Sequence, residues 1–183
     1  MANNVSNVAA GKPKIGGAIY VAPVGTALPT DASTALNNAF VGLGYVSEDG
    51  VTRTITRESE NISAWGGDTV LTMQTEFTET FNFTLIETLS VDVKKVIFGD
   101  SNVTGELTTG ITTKSNSAEL EEHSYVIDMI QNGAAVRIVI PHGKVTELGD
   151  IVYSDSEVIG YNPTITGLPD TAGNASYEYT LKA

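Results

Sequence analysis

The feature that most constrains the fold is the stretch from Glu122 to Leu148, EHSYVIDMIQNGAAVRIVIPHGKVTEL. Asn132-Gly133 lies near its centre, and this dipeptide is the strongest short-range signal for a β-hairpin, because both central residues of a type I′ turn need positive φ. The second half is apolar on both faces: Val136, Ile138 and Ile140 alternate with Ala135, Arg137 and Val139. We therefore expect a hairpin whose second strand is buried on both sides.

Composition extends this expectation to the whole chain. Of 183 residues, 41% are hydrophobic and 17% are charged, which is typical of one globular domain with its own core. Eighteen glycines and frequent Thr, Val and Ile favour a mostly-β fold with many turns. We expect a flexible N-terminal arm over residues 1–14 and a single β domain over 15–183. The alternative is that the arm orders on a neighbouring molecule.

Several further segments have the pattern of strands. Residues 17–24 predict a first strand, and residues 41–47 and 51–58 predict two strands joined in a hairpin at Asp49-Gly50. Between them, residues 28–40 predict a helical turn capped by Asp31. Strands are also predicted over 150–155, over 156–165, where Pro163 indicates a sheet edge or a bulge, and over 176–183.

Residues 74–100 combine a strand with a helix. Phe77, Phe81, Phe83 and Leu85 share one face of the strand, while the other face is polar and lacks cations: Glu76, Thr78, Thr80, Asn82 and Thr84. Glu79 falls on the apolar face, which indicates a bulge or a strand end there.

The helix is predicted to begin after Ser90 and to end at Gly99. Val93, Val96 and Ile97 form its apolar stripe, at the spacing that packs a short helix on a sheet.

Residues 59–73 have no clean period and are predicted to form a long loop or a flexible hairpin arm. They contain the single tryptophan, Trp65, beside Gly66-Gly67. We expect Trp65 to close the edge of its own core. The alternative is docking on another molecule, because Trp is enriched at interface hot spots.

The residues that carry chemistry are few. The formal net charge is −12 with ten basic residues, too few cations for a nucleic-acid-binding stripe or for binding anionic lipid. Cysteine is absent, and His123 and His142 lie in no triad-like motif. Asp150, Asp155 and Glu157 lack the spacing of a calcium loop. We therefore expect no catalytic residue, no metal site and no cofactor.

Targeting signals are not evident in the sequence. The first residues lack a charged start followed by an apolar run, so we expect no secretory signal. No 18 consecutive residues are apolar, so we expect no membrane-spanning helix.

These observations favour a structural or binding protein over an enzyme. An Ig-like adhesion or receptor-binding module is one alternative function. An enzyme with a dispersed carboxylate site is another.

Long runs of the chain resemble one protein family. Residues 11–32, 43–52, 59–89, 96–100 and 134–166 are similar to the major tail protein, or tail tube protein, of long-tailed bacteriophages with non-contractile tails. The resemblance implies a β-sandwich or half-barrel of two sheets flanked by one α-helix. It also implies a non-enzymatic virion protein that forms stacked hexameric rings around a tape-measure protein.

The same resemblance implies partners and sites. The partners are copies of the chain, the tape-measure, tail-tip and tail-terminator proteins, and DNA that passes without specific binding. The protein would assemble in the bacterial host cytoplasm and reside in the virion tail. The inter-ring contact would come from the long loop, with candidates Glu60, Asn61, Trp65, Gly66, Gly67 and Asp68. The lumen would be lined by the polar face of the Phe-rich strand, with candidates Glu76, Thr78, Thr80, Asn82 and Thr84.

Overall fold

The computed structural model describes residues 3–14 and 16–182. Within these ranges the helical elements are α1 (Val91–Phe98) and two short 3-10 turns, Val5–Asn7 and Asp100–Asn102. No helix there is long and apolar enough to span a membrane. The strands are β1 (Gly11–Pro13), β2 (Ile19–Pro23), β3 (Val41–Gly42), β4 (Val46–Ser63), β5 (Thr69–Leu85), β6 (Val103–Glu106), β7 (Gly110–Thr113), β8 (His123–Gln131), β9 (Ala134–Leu148), β10 (Pro163–Leu168) and β11 (Tyr177–Lys182).

The strands form two antiparallel sheets. The large sheet has the order β3-β2-β8-β9-β10-β5-β4, with β1 added to β8 and β11 added to β9. The small sheet pairs β6 with β7. The large sheet does not close on itself, because β3 and β4 stand at its two ends. The predicted fold class, a mostly-β protein of two sheets with one helix, is confirmed.

The hairpin at Asn132-Gly133 is confirmed. Asn132 has φ 47° and Gly133 has φ 80°, as a type I′ turn requires. β9 is buried on both faces, because Ile138 and Ile140 belong to the main core whereas Val139 packs in a second cluster on the other side.

The main core lies between the large sheet and α1. The Ser90 side chain accepts a bond from the Val93 amide at 3.5 Å and caps the helix, and Gly99, with φ 95°, ends it. Val93, Val96 and Ile97 are buried against the sheet, as predicted. Each such side chain stabilises the fold by about 1.5–3 kcal/mol when fully buried.

The segment 24–40 covers the other face of the sheet, but it is not helical, so the predicted helical turn is wrong. Asp31 still accepts bonds from the amides of Ser33 at 2.7 Å and Thr34 at 2.6 Å. The carbonyls of Asp31 and Thr34, however, accept bonds from Arg137 at 3.1 and 2.8 Å. In the structure these two carbonyls bind the Arg137 guanidinium, and no α-helix follows them in segment 24–40.

The hairpin predicted at Asp49-Gly50 is also wrong. β4 runs through both residues, and the register jumps from Val46↔Leu85 to Val51↔Phe83. Gly50 has φ 72°, so the positive φ that suggested a turn is used in a bulge instead. The two segments form no hairpin because they pair with different strands. β3 pairs with β2 at one edge of the sheet, whereas β4 pairs with β5 at the opposite edge.

The C-terminal strands follow the sequence in part. Residues 150–155 form no strand, so that prediction is wrong. Pro163 is the first residue of β10, so the predicted strand over 156–165 is wrong for residues 156–162. A register shift follows between Thr164 and Ile165, but its extra residue is Thr146 in β9 and not Pro163. β11 confirms the predicted final strand up to Lys182, and Ala183 lies outside the described residues.

Part of the predicted N-terminal arm is paired with the sheet, because Gly11–Pro13 lie opposite Met129–Gln131. Met1 and Ala2 of the predicted arm, and Ile15 at the predicted domain start, lie outside the described residues. The division into a flexible arm and a separate domain stays a prediction.

Candidate assembly arm and polar face

A long β-hairpin projects from the sheet. β4 and β5 remain paired from Val51↔Phe83 to Ser63↔Thr69, while the pairing of β5 with β10 ends at Glu79. Beyond that point the hairpin is a two-stranded ribbon, and every residue from 54 to 77 is exposed. We call residues 54–77 the arm; its ten β4 residues span about 33 Å at 3.3 Å per residue.

The predicted inter-ring residues lie in the outer half of the arm. Of the two alternatives predicted for residues 59–73, a long loop or a hairpin arm, the structure has the hairpin. Its irregular backbone is limited to residues 64–68, where the Ala64 N–H donates to the Asp68 carbonyl at 2.8 Å. Glu60 and Asn61 lie on β4, and Trp65, Gly66, Gly67 and Asp68 form the tip.

Trp65 has a relative exposure of 106%, so the expectation that it closes its own core is wrong. The tip is too far from the body for the indole to reach a core. Docking on another molecule is the remaining alternative for this side chain.

One bulge sorts the apolar side chains of the arm onto two faces. The register passes from Glu58↔Glu76 to Ser59↔Gln74, so Thr75 is an extra residue in β5. Two hydrogen bonds mark one face of the ribbon across this bulge. Arg57 Nη1 donates to Gln74 Oε1 at 3.2 Å, and Thr72 Oγ1 donates to Asn61 Oδ1 at 2.7 Å.

The result is two separate apolar patches. The proximal patch, Ile55 and Phe77, lies on the face of Arg57, whose guanidinium stands 4.6 Å from the Phe77 ring centre. The distal patch, Ile62, Leu71 and Met73, lies on the opposite face of the ribbon because strand side chains alternate. These five side chains are 41–50% exposed.

A buried ion pair fixes the base of the arm. Arg53 Nε lies 2.5 Å from Glu79 Oε1, and Arg53 Nη1 lies 2.8 Å from Glu178 on β11. The Ser176 hydroxyl donates to the same Glu79 carboxylate at about 3 Å. Glu79 is 3% exposed and in regular register with Ile55 and Gly167, so the predicted bulge or strand end there is wrong. The Glu79 carboxylate is tolerated on the apolar face because Arg53 and Ser176 donate hydrogen bonds to it.

The polar face of β5 continues across three neighbouring strands. Thr78 and Thr80 lie opposite Thr56 and Thr54 on β4, and Thr80 also lies opposite Thr166 on β10. The Thr166 hydroxyl is 2.8 Å from that of Thr146 on β9. The face therefore carries mostly small neutral hydroxyls, with Glu76 opposite Glu58 at its outer end. On β9 it also carries Lys144, which lies opposite Thr166 and pairs with Glu119.

Two of the predicted lumen residues hydrogen-bond to the segment 149–162, and Thr78 donates to Glu76 at 2.9 Å. Asn82 and Asn162 exchange amide hydrogen bonds at 2.9 and 3.1 Å, and Asn162 also donates to Thr84 at 2.8 Å. These bonds tie the segment 149–162 to β5 and leave Asn82 and Thr84 half-buried. Thr78 and Thr80 lie beyond this contact. The orientation of all five candidates toward a lumen stays a prediction.

The sequence analysis missed a buried ion pair beneath segment 24–40. Arg137 Nε and Nη2 donate to the two carboxylate oxygens of Asp128 at 2.6 and 2.8 Å. The hydrogen bonds that Arg137 donates to the Asp128 carboxylate raise the pKa of Arg137 above its ordinary value. A signal was available, because a two-residue turn at Asn132-Gly133 places residues 128 and 137 directly opposite.

The histidines contribute no catalytic arrangement. His142 Nδ1 lies 3.1 Å from Glu122, and His123 Nε2 lies 3.8 Å from Asp100. Neither histidine hydrogen-bonds a serine in the part of the chain that is described, and no group of three or more potential ligand residues could hold a metal there.

A family model described as "Phage tail tube protein" matches residues 1–182. No curated protein matches the chain.

Proposed function

Because the chain belongs to the phage tail tube protein family, a family of structural and non-enzymatic virion components, we propose that it forms hexameric rings that stack into the tail tube. Phage DNA passes through this tube into the host. The tail is of the long, non-contractile type.

The observation that carries the ring proposal is the open sheet. β4 is an end strand, so its outer edge has no partner strand in the described chain over eighteen residues. β11 pairs with β9 on one side, and its other edge is likewise unpaired among the described residues. Unpaired edges of this length readily pair with another chain. A cyclic, head-to-tail ring satisfies them and leaves no free edge.

The threonine-rich face supports the lumen proposal. Glu76, Thr78, Thr80, Asn82 and Thr84 line the bore. DNA must move without being held, and each Lys–phosphate or Arg–phosphate contact would add affinity and drag. The hydroxyls of this face are neutral, its Lys144 is paired with Glu119, and the net charge of −12 opposes such contacts.

The tip of the arm makes the contact between rings. Glu60, Asn61, Trp65, Gly66, Gly67 and Asp68 reach the next ring along the axis. Trp65 supports this role, because a fully exposed indole offers about 150–250 Å² of contact area and is a typical hot-spot residue.

The remaining partners follow from the assembly. The tape-measure protein fills the bore before DNA, the tail-tip complex nucleates the first ring, and a terminator protein closes the last. Assembly takes place in the bacterial host cytoplasm, and the product belongs to the virion tail. The tube has no membrane partner.

Negative-stain microscopy of the purified protein, alone and with tail-tip complexes, tests the proposal. The expected result is rings or tubes with sixfold end views. Compact particles under both conditions would contradict it and would favour the adhesion or receptor-binding module.

A further inference from the structure

The two apolar patches of the arm point in opposite directions. Ile55 and Phe77 form the proximal patch, and Ile62, Leu71 and Met73 form the distal patch about five residues further out, or about 17 Å. Neither patch is covered by the chain. An isolated two-stranded hairpin is only marginally stable in water, so the arm needs partner surfaces to hold its shape.

The charge of the arm limits what those surfaces are. The arm contains four acids, Glu58, Glu60, Asp68 and Glu76, and one cation, Arg57, which lies over the Phe77 ring. Nucleic acid, anionic lipid or another arm would be repelled. The body of the same chain offers cations, because Lys95 and Lys114 form none of the ion pairs found among the described residues.

We propose that each arm is held between two other copies of this chain, one covering the distal patch and the other covering the proximal patch. This inference rests on the proposed tube. It adds that the bulge at Thr75 makes the arm an adaptor between two neighbours, because it brings Leu71 and Met73 to the face of Ile62 and leaves Phe77 with Ile55. A single flat surface cannot contact both faces of a ribbon.

The absence of cysteine allows a direct test. A chain carrying Ile55→Cys and Met73→Cys is labelled with a photoreactive maleimide and assembled with a large excess of unlabelled parent. After irradiation the tubes are dissolved and the covalent products are sized. A doubly labelled chain between two copies gives covalent trimers, while each singly labelled chain gives dimers only.

The matched control places the same labels on the opposite faces, at Thr56→Cys and Gln74→Cys, and should give mostly uncrosslinked chain. Dimers without trimers from the first pair would overturn the proposal, as would equal crosslinking of the control pair. A second pair, Phe77→Cys with Leu71→Cys, repeats the measurement if the first label is excluded from tubes. Failure of the parent itself to form tubes would instead count against the proposed function.

Discussion

Arg137 is predicted to be a main determinant of monomer stability. Its side chain is 1% exposed, and it joins Asp128 on β8 to the carbonyls of Asp31 and Thr34 in the covering segment. Arg137→Met leaves the Asp128 carboxylate buried, with Lys14 at 3.4 Å as its remaining charged partner among the described residues. Removing one partner of a buried pair typically costs about 3–5 kcal/mol, and the half-exposed Lys14 places the expected loss near 3 kcal/mol.

Urea unfolding of the monomer measures this loss. With a slope of about 1–3 kcal/mol per molar urea, a loss of 3 kcal/mol lowers the midpoint by about 1–3 M. The double variant Arg137→Met/Asp128→Asn removes both charges. It should be less destabilised than the sum of the single variants, with a coupling energy of about 2 kcal/mol or more.

A surface ion pair supplies the control. Lys144 pairs with Glu119, whose side chain is 82% exposed, so Lys144→Met should change stability by about 1 kcal/mol or less. The role of the Arg137–Asp128 pair is refuted if the free energy of unfolding of Arg137→Met lies within about 1 kcal/mol of that of the parent. It is also refuted if the effects of Arg137→Met and Asp128→Asn are additive.

Four further predictions concern assembly, the bore, packing and acid stability. Trp65→Ser should leave the melting temperature unchanged and raise the critical concentration for tubes about thirtyfold or more, as measured by sedimentation, because a hot-spot loss is about 2 kcal/mol. Thr80→Lys should slow DNA release from assembled particles, and more so at low salt. Gly143→Ala should lower stability to urea by about 1–3 kcal/mol, because the added Cβ would lie 2.5 Å from the Tyr125 ring. Hydrogen bonds from the Thr34 side chain and from the Thr34 and Ser33 amides lower the pKa of Asp31. The Asp31 carboxylate therefore stabilises the fold above its ordinary pKa of 3.8, and this contribution is lost as the pH falls below 3.8. The stabilities of Asp31→Asn and of the parent, measured by acid unfolding, should therefore converge at low pH.

Each of these predictions has an outcome that contradicts it. A destabilised Trp65→Ser monomer would mean that the indole packs within its own chain. Thr112→Lys, on the small sheet, is the control for the bore, and equal release rates for the two lysine variants would place Thr80 outside the lumen. Gly11→Ala, whose Cβ would lie 3.7 Å from Met129, should be nearly neutral. A constant stability difference between parent and Asp31→Asn from neutral pH to below pH 3 would refute the assignment of Asp31.

Local patterns in the sequence determined the elements whose partners are close in the chain. The Asn132-Gly133 turn sets the β8–β9 register, because only residues that tolerate positive φ close a two-residue hairpin. Ser90, the stripe at Val93, Val96 and Ile97, and Gly99 determine α1 in the same way, since cap, stripe and stop lie within ten residues. The alternation in residues 177–182 likewise sufficed for the last strand.

Only the tertiary structure decided features that depend on distant residues. Gly50 has the positive φ that its sequence predicts, but whether that φ serves a turn or a bulge depends on β5, more than thirty residues away. The carbonyls of Asp31 and Thr34 accept bonds from Arg137, which is more than one hundred residues away in the chain. Glu79 is tolerated on an apolar face because Arg53 and Ser176 reach it.

The sequence determined some features of the candidate site, and the tertiary structure decided the others. The sequence determined which residues of the Phe-rich strand are polar and which are apolar, because alternation is a property of a single strand. It did not determine that Trp65 is exposed, or that Leu71 and Met73 lie opposite Phe77. Exposure depends on where the body of the protein ends, and the face of a side chain depends on a bulge whose position follows from pairing between two strands.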